Sequence, residues 1–203
     1  MYVTKRNGNK EPVRFDKITT RISKLTLDLG DSVDPVIVTQ KTVASIFSGV
    51  TTTELDNQAA LICMNMITEN PAYGILGGRI AVSNHQKNTP ENFSEAVRIL
   101  AENIDIQGNL SSLVSEELID LSEKYKDEIQ GMIDFNRDYD IDFFGFKTLE
   151  RSYLLRINTN GGKDRKIIER PQHLFMRVAL GLHGDDLELV KKTYDYLSLK
   201  YIV

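Results

Sequence analysis

Tyr2-Val3-Thr4-Lys5-Arg6-Asn7-Gly8-Asn9-Lys10-Glu11-Pro12-Val13-Arg14-Phe15-Asp16-Lys17-Ile18 opens the chain and decides the reading of its fold. Asn7-Gly8 lies between two short extended runs, residues 2–5 and 12–15. Both residues tolerate positive φ, so the pair predicts a β-hairpin turn. Asp16 then stands as a helix cap ahead of Ile18, Ile22, Leu25 and Leu29 at helical spacing. Gly30 is expected to stop that helix. The stretch also gathers charge. Residues 1–24 hold Lys5, Arg6, Lys10, Arg14, Lys17, Arg21 and Lys24 against only Glu11 and Asp16.

Three more helices follow in the next 65 residues. Asp34-Pro35 is a cap followed by Pro at the first helical position, and Val36, Val43, Ile46 and Phe47 supply an apolar side that ends at Gly49. Thr51 with Glu54 three residues later forms a capping-box pattern, followed by Leu55, Ala59, Ile62 and Met66 on one face. Asn70-Pro71 starts a fourth helix with Tyr73, Leu76 and Ile80 inward. Gly74, Gly77 and Gly78 weaken that helix intrinsically, so their presence predicts the close approach of another backbone. The first 89 residues thus read as a hairpin plus four short helices. Asn88-Thr89-Pro90-Glu91 breaks the pattern and divides the chain into expected domains at 1–90 and 91–203.

Beyond the break, residues 91–130 read as helical, with polar joints near Gln107-Gly108-Asn109. Residues 138–144 read as loop. Residues 152–157 and 166–168 flank Asn158-Thr159-Asn160-Gly161-Gly162 as a second hairpin. Pro171 opens a helix to about Gly181, and Asp185 begins another. The fold class is α+β, mainly helical.

Composition excludes several functions. Hydrophobic residues make up 41% and charged residues 27%, the mix of a water-soluble domain. There is no apolar run of transmembrane length and no apolar stretch behind the N-terminus to act as a signal, so the expected location is the cytosol. Net charge is −4, so neither a membrane surface nor nucleic acid is an expected partner. Cys63 stands alone, which excludes an internal disulfide framework or cysteine zinc site and reads as a small buried hydrophobe. His85, His173 and His183 lack metal-ligand spacing and read as structural. Phe143, Phe144 and Phe146 read as packing residues, and Glu169 and Arg170 as polar contacts at a helix start.

A basic cluster on an acidic chain suits a small polyanion. A triphosphate needs cations, backbone N–H groups and preferably a helix N-terminus. Lys5 and Arg6 precede the hairpin turn, Lys17 lies in the first turn of the next helix, and Thr51, Thr52 and Thr53 begin another. Asp16 and Asp56 repel phosphate and would face ribose or base. No GxxxxGK[ST] or GxGxxG pattern is present.

Lys5-Arg6-Asn7-Gly8, Phe15-Asp16-Lys17-Ile18, Gly49-Val50-Thr51-Thr52-Thr53-Glu54-Leu55-Asp56 and Arg79-Ile80-Ala81-Val82-Ser83-Asn84-His85-Gln86-Lys87 together resemble the ATP-cone, the regulatory domain of many ribonucleotide reductases. The resemblance implies four short helices capped by a small β-sheet. It implies an effector site lined by Lys5, Arg6, Glu11, Pro12, Val13, Arg14, Phe15, Asp16, Lys17, Thr52, Asp56 and Lys87. Its ligands would be ATP or dATP, with Mg2+ and no covalent cofactor. Asn7 stands where relatives often carry Asp; both suit the turn. The resemblance selects Thr52 as the nucleotide contact, whereas the capping pattern selects Thr51.

Phe144-Gly145-Phe146-Lys147-Thr148-Leu149-Glu150-Arg151-Ser152-Tyr153-Leu154-Leu155 and Glu169-Arg170-Pro171-Gln172-His173-Leu174-Phe175-Met176-Arg177-Val178-Ala179-Leu180-Gly181-Leu182-His183 are similar to the helical N-terminal part of the eukaryotic-type class I large subunit. That family reduces ribonucleoside diphosphates through a thiyl radical and a redox cysteine pair in an α/β barrel. Cys63 cannot supply that set, so the chain is expected to be an N-terminal fragment without catalytic residues, ending at Tyr201-Ile202-Val203 before the substrate loop. Other large subunits and a radical-generating small subunit are the implied partners. Two other readings compete: a free-standing nucleotide sensor, and a plain helical interaction domain whose basic cluster is a solvated face. The long second match favours the reductase.

Overall fold

The computed structural model describes residues 1–26 and 28–202; Val203, the last residue of the C-terminal expectation, lies outside them. Contacts divide the chain into two compact units, Met1–Asn84 with Tyr139–Lys147, and His85–Asp138 with Thr148–Val203.

In the first unit, β1 (Tyr2–Thr4) pairs antiparallel with β2 (Lys10–Pro12), with Val3 opposite Glu11. The expected turn closes between them. Lys5 N donates to Asn9 O at 2.8 Å, and Gly8 adopts φ 82°, the left-handed region that glycine enters without steric cost. Helix α1 (Phe15–Ser23) follows, with Ile18 and Ile22 buried. Arg14, not Asp16, occupies its N-cap position, and Asp16 lies one residue inside the first turn. The helix ends sooner than its apolar spacing predicts. Thr26 Oγ1 bonds back to Ser23 O, and Arg79 Nη1 donates to Leu25 O at 3.1 Å while its guanidinium pairs with Asp28. Those bonds engage the backbone beyond Ser23 in a turn.

Helix α2 (Pro35–Ser45) is capped as expected by Asp34, whose Oδ1 accepts from Val36 N at 2.7 Å. Its inward face differs from the apolar pattern. Val38, Thr39 and Thr42 are buried, while Val36 and Phe47 are exposed. Thr39 and Thr42 donate to Pro35 O and Val38 O, each at 2.7 Å, so their hydroxyls enter the core satisfied.

Helix α3 (Thr52–Asn65) carries the full capping box: Glu54 N donates to Thr51 Oγ1 at 3.1 Å, and Thr51 N to Glu54 Oε2 at 2.8 Å. The donation from Thr51 N, joined by one from the Thr51 hydroxyl at 2.8 Å, holds the Glu54 carboxyl below its ordinary value. Helix α4 (Ala72–Gln86) buries Tyr73, Leu76 and Ile80 as expected. Its glycines mark a close approach. A Cβ on Gly78 would lie 2.6 Å from Ile141 O and 2.8 Å from Phe143 N, and one on Gly77 would lie 3.2 Å from Ala60 O.

The second unit is helical: α5 (Phe93–Ala101), α6 (Glu116–Lys124), α7 (Lys126–Met132), α9 (Pro171–His183) and α10 (Leu187–Ser198). Phe93, Val97, Ile129, Met176, Leu180 and Tyr194 form its core. The expected helical stretch over 91–130 is broken at its polar joints, where Asp105 Oδ1 accepts from both Gln107 N and Asn109 N and closes a turn. Residues 138–144, expected as loop, carry the end of a 3₁₀ turn, Phe135–Asp140, and the start of α8 (Phe143–Ser152). Asp142 Oδ1 accepts from Gly145 N at 2.8 Å and starts that helix. The second hairpin forms between β3 (Arg156–Thr159) and β4 (Asp164–Ile167).

A buried polar network crosses this unit. Asp138 accepts from Gln86 Nε2 at 2.9 Å and Gln172 Nε2 at 3.0 Å, and Gln172 Oε1 accepts from Tyr194 and Ser198 hydroxyls. Burial raises the Asp138 carboxyl to about 6. His173 accepts from Arg170 N through Nδ1, which leaves Nε2–H to face Glu91 O at 3.3 Å. Burial pushes its pKa down to about 3.

Gly78→Ala is expected to destabilise by about 1–3 kcal/mol, because rigid main-chain atoms meet the new methyl. Gly181→Ala, in α9 with open space around it, is expected to stabilise by about 0.5–1 kcal/mol through helix propensity alone. Urea unfolding of both variants checks the opposite signs. His173 gives a pH test. Between pH 6.5 and 3 the unfolded chain binds a proton that the folded imidazole refuses, so stability falls as pH falls. The stability advantage of wild type over His173→Gln should shrink on acidification from pH 7 to 4, by at most about 1.4 kcal/mol per pH unit. Asp138 acts oppositely, favouring the fold at low pH, but it is common to both proteins and cancels in the difference. A gap independent of pH would show that His173 titrates normally.

Candidate functional site

The hairpin is held against the entry to α3 by main-chain bonds. Gly49 N donates to Tyr2 O at 2.8 Å, Thr4 N donates to Val50 O at 2.9 Å, and Thr4 bridges Thr51 in parallel. Lys5 and Arg6 leave β1 directly beside that bridge. The first N–H groups of α3 have no intrahelical acceptor, and the helix dipole adds partial positive charge there.

Two carboxylates each gather two cations around this point. Glu11 Oε2 lies 3.1 Å from Lys17 Nζ and 3.5 Å from Lys5 Nζ. The Lys17 hydrogen bond, aided by Lys5, holds the Glu11 carboxyl below its ordinary value. Asp56 Oδ2 lies 3.3 Å from Arg21 Nη2 and 3.6 Å from Arg6 Nη2. Arg6 also donates to Thr52 Oγ1 at 3.3 Å and to Asn84 Oδ1. Asn84 Nδ2 in turn reaches Asn57 Oδ1 at 2.9 Å and Thr53 O at 3.3 Å. Two lysines and two arginines thus meet two carboxylates here. The two groups differ in burial. The lysine–Glu11 group is open to solvent, where such pairs are weak and rearrange readily. Asp56 has a side chain only 7% exposed and depends on its partners.

Of the twelve expected site residues, Lys5, Arg6, Glu11, Lys17, Thr52 and Asp56 are brought into these two groups. Pro12, Val13 and Arg14 form the link from β2 to α1, with Val13 N donating to Met1 O at 3.3 Å. Phe15 and Asp16 begin α1 and are exposed. Lys87 is exposed, follows α4 and belongs to the second unit. Thr51 and Thr52 divide their work: Thr51 caps, and Thr52 faces Arg6. Arg21, Asn57 and Asn84 are additions. Arg21 was accessible from spacing, since Lys17 and Arg21 are four apart on α1 and share a face. Asn84 gives no sequence signal, because it reaches Arg6 across 78 positions.

The arrangement gathers cations beside a helix N-terminus. Cys63 is fully buried, and desolvation pushes its thiol up to about 12. Among the described residues no cluster of three His, Cys, Asp or Glu is placed to hold a metal, and no helix is long and apolar enough to cross a membrane.

Two family models match the chain: the ATP cone domain over residues 1–88, and the all-alpha domain of ribonucleotide reductase over residues 139–203. A nucleotide-binding regulatory cone joined to a reductase helical domain is thus the class the chain represents. It belongs to the ribonucleotide reductase large-subunit family. The ribonucleoside-diphosphate reductase large subunit of Dictyostelium discoideum is 51% identical over 98% of this chain. Large chain 2 of Saccharomyces cerevisiae is 48% identical over 99%, and the large subunit of Caenorhabditis elegans 46% over 99%. The chain spans about a quarter of the length of these relatives, 23%, 23% and 25% respectively.

Proposed function

We propose that residues 1–90 bind ATP or dATP as an allosteric effector and that residues 91–203 are the first helical segment of a reductase large subunit. The observation that carries this reading is the double cluster, Lys5–Glu11–Lys17 and Arg6–Asp56–Arg21, at the start of α3. Phosphates take the place of Glu11 on the two lysines at little cost, because those ion pairs are exposed. Arg6 and the first turn of α3 supply further donors. Glu11, Pro12, Val13, Arg14, Phe15 and Asp16 line the nucleoside side, with Lys87 as a further cation.

Magnesium arrives with the triphosphate and is held by phosphate oxygens and water. In the whole protein, ATP activates and dATP inhibits reduction of ribonucleoside diphosphates, acting through association of large subunits and pairing with a radical-generating small subunit in the cytosol. A ligand shifts such an equilibrium only by binding two states unequally, and the two effectors differ by one 2′-hydroxyl.

Calorimetric titration of the chain with ATP and with dATP tests the reading. Both are expected to bind one competing site, and Lys5→Ala or Arg6→Ala to weaken each by about ten-fold or more, since a charge-assisted phosphate contact contributes about 1.5–3 kcal/mol. Unchanged affinity in both folded variants removes the hairpin from the site. Asp56→Asn is expected to narrow the affinity difference between ATP and dATP while triphosphate binding largely persists. A variant that keeps the full wild-type difference shows that Asp56 does not read the ribose.

A further inference from the structure

Two guanidinium groups with different surroundings meet the Asp56 carboxylate. Arg6 is tied at three points, Thr52, Asn84 and Asp56, and stands at the hairpin where an anion arrives. Arg21 projects from α1 and meets Asp56 through Nη2 at 3.3 Å. Its Nε is buried without a hydrogen-bond partner among the described residues. A buried donor left unpaired is unfavourable, so the Arg21 side chain lies where it does for the charge on Asp56, not to complete its own hydrogen bonds. The enclosed carboxylate therefore has a counter-ion that does not depend on Arg6.

We infer that Arg21 is a positioning residue for the triphosphate: by neutralising Asp56 it leaves Arg6 available to the phosphates. This rests on the nucleotide reading of the site given above. With Arg21 in place, Arg6 turns from Asp56 to a phosphate oxygen and Asp56 keeps a cation. Without Arg21, Asp56, a carboxylate with a side chain 7% exposed, leans more heavily on Arg6, and binding has to loosen that ion pair. Arg21 thus strengthens phosphate binding without touching phosphate. Removing the carboxylate removes the conflict, so the harm of losing Arg21 depends on Asp56 being present.

The test is a double-mutant cycle in ATP and dATP affinity, measured by calorimetry on the full chain with folding checked by circular dichroism. Arg21→Ala is expected to weaken both nucleotides by about ten-fold. Arg21→Lys, which keeps the charge, is expected to stay near wild type. Arg21→Gln keeps most of the stem and serves where the alanine variant fails to fold. Adding Asp56→Asn to Arg21→Ala or Arg21→Gln is expected to restore affinity by about five-fold more than Asp56→Asn changes it in the wild-type background. Additive effects, or an Arg21→Gln chain that binds as wild type does, overturn the role of Arg21 while leaving the nucleotide site standing. A wild-type chain that binds neither nucleotide overturns the reading of the site and this role with it.

Discussion

Two main-chain hydrogen bonds, Gly49 N to Tyr2 O and Thr4 N to Val50 O, fasten the N-terminal hairpin to the segment that enters α3. The cationic site depends on them. Lys5 and Arg6 lie in a turn, and a two-stranded hairpin of three-residue strands is marginal by itself in water. Pairing β1 on its second edge with residues 49–51 gives that turn a fixed place beside a helix N-terminus. Thr51 serves both elements, as the bridge partner of Thr4 and as the cap of α3.

On that frame the charges are arranged in two tiers. The outer tier, Lys5 and Lys17 on Glu11, is solvated and held weakly, so an incoming polyanion rearranges it at little cost. The inner tier, Arg6 and Arg21 on Asp56, is enclosed, so its geometry resists change and its charges matter more. The amide pair Asn84 and Asn57 adds neutral partners. Asn84 accepts from Arg6 without cancelling its charge. The two tiers thus differ in how readily their ion pairs exchange partners.

The support beneath the site is close packing of backbone. Gly77 and Gly78 let α4 approach the main chain at Ala60 and at residues 141–143, which a methyl group would prevent. The second unit is braced differently, by a satisfied polar network of Asp138, Gln86, Gln172, Tyr194 and Ser198 inside an apolar shell. Such networks favour one arrangement of a core, because each member left unpaired is costly.

Local signals fixed much of this protein. The Asn7-Gly8 turn, the Asp34 cap, the Thr51–Glu54 capping box and the glycine face of α4 each follow from the conformational freedom or hydrogen-bonding reach of residues a few positions apart. The sequence placed Lys5, Arg6 and Lys17 in one basic cluster near a helix start, and the structure gathers them there with Glu11, Thr52 and Asp56. What tertiary structure decided were choices made over long separations. Arg79 pairs with Asp28 and takes Leu25 O, turning the chain where apolar spacing continues the helix. Thr39 and Thr42 enter the core because α2 satisfies their hydroxyls within its own turns. Arg21 and Asn84 join the site because α1 and α4 pack where their side chains meet Asp56 and Arg6. Periodicity records which face of a helix is apolar, but a shared counter-ion is set by distance in space, and only the packed fold supplies that distance.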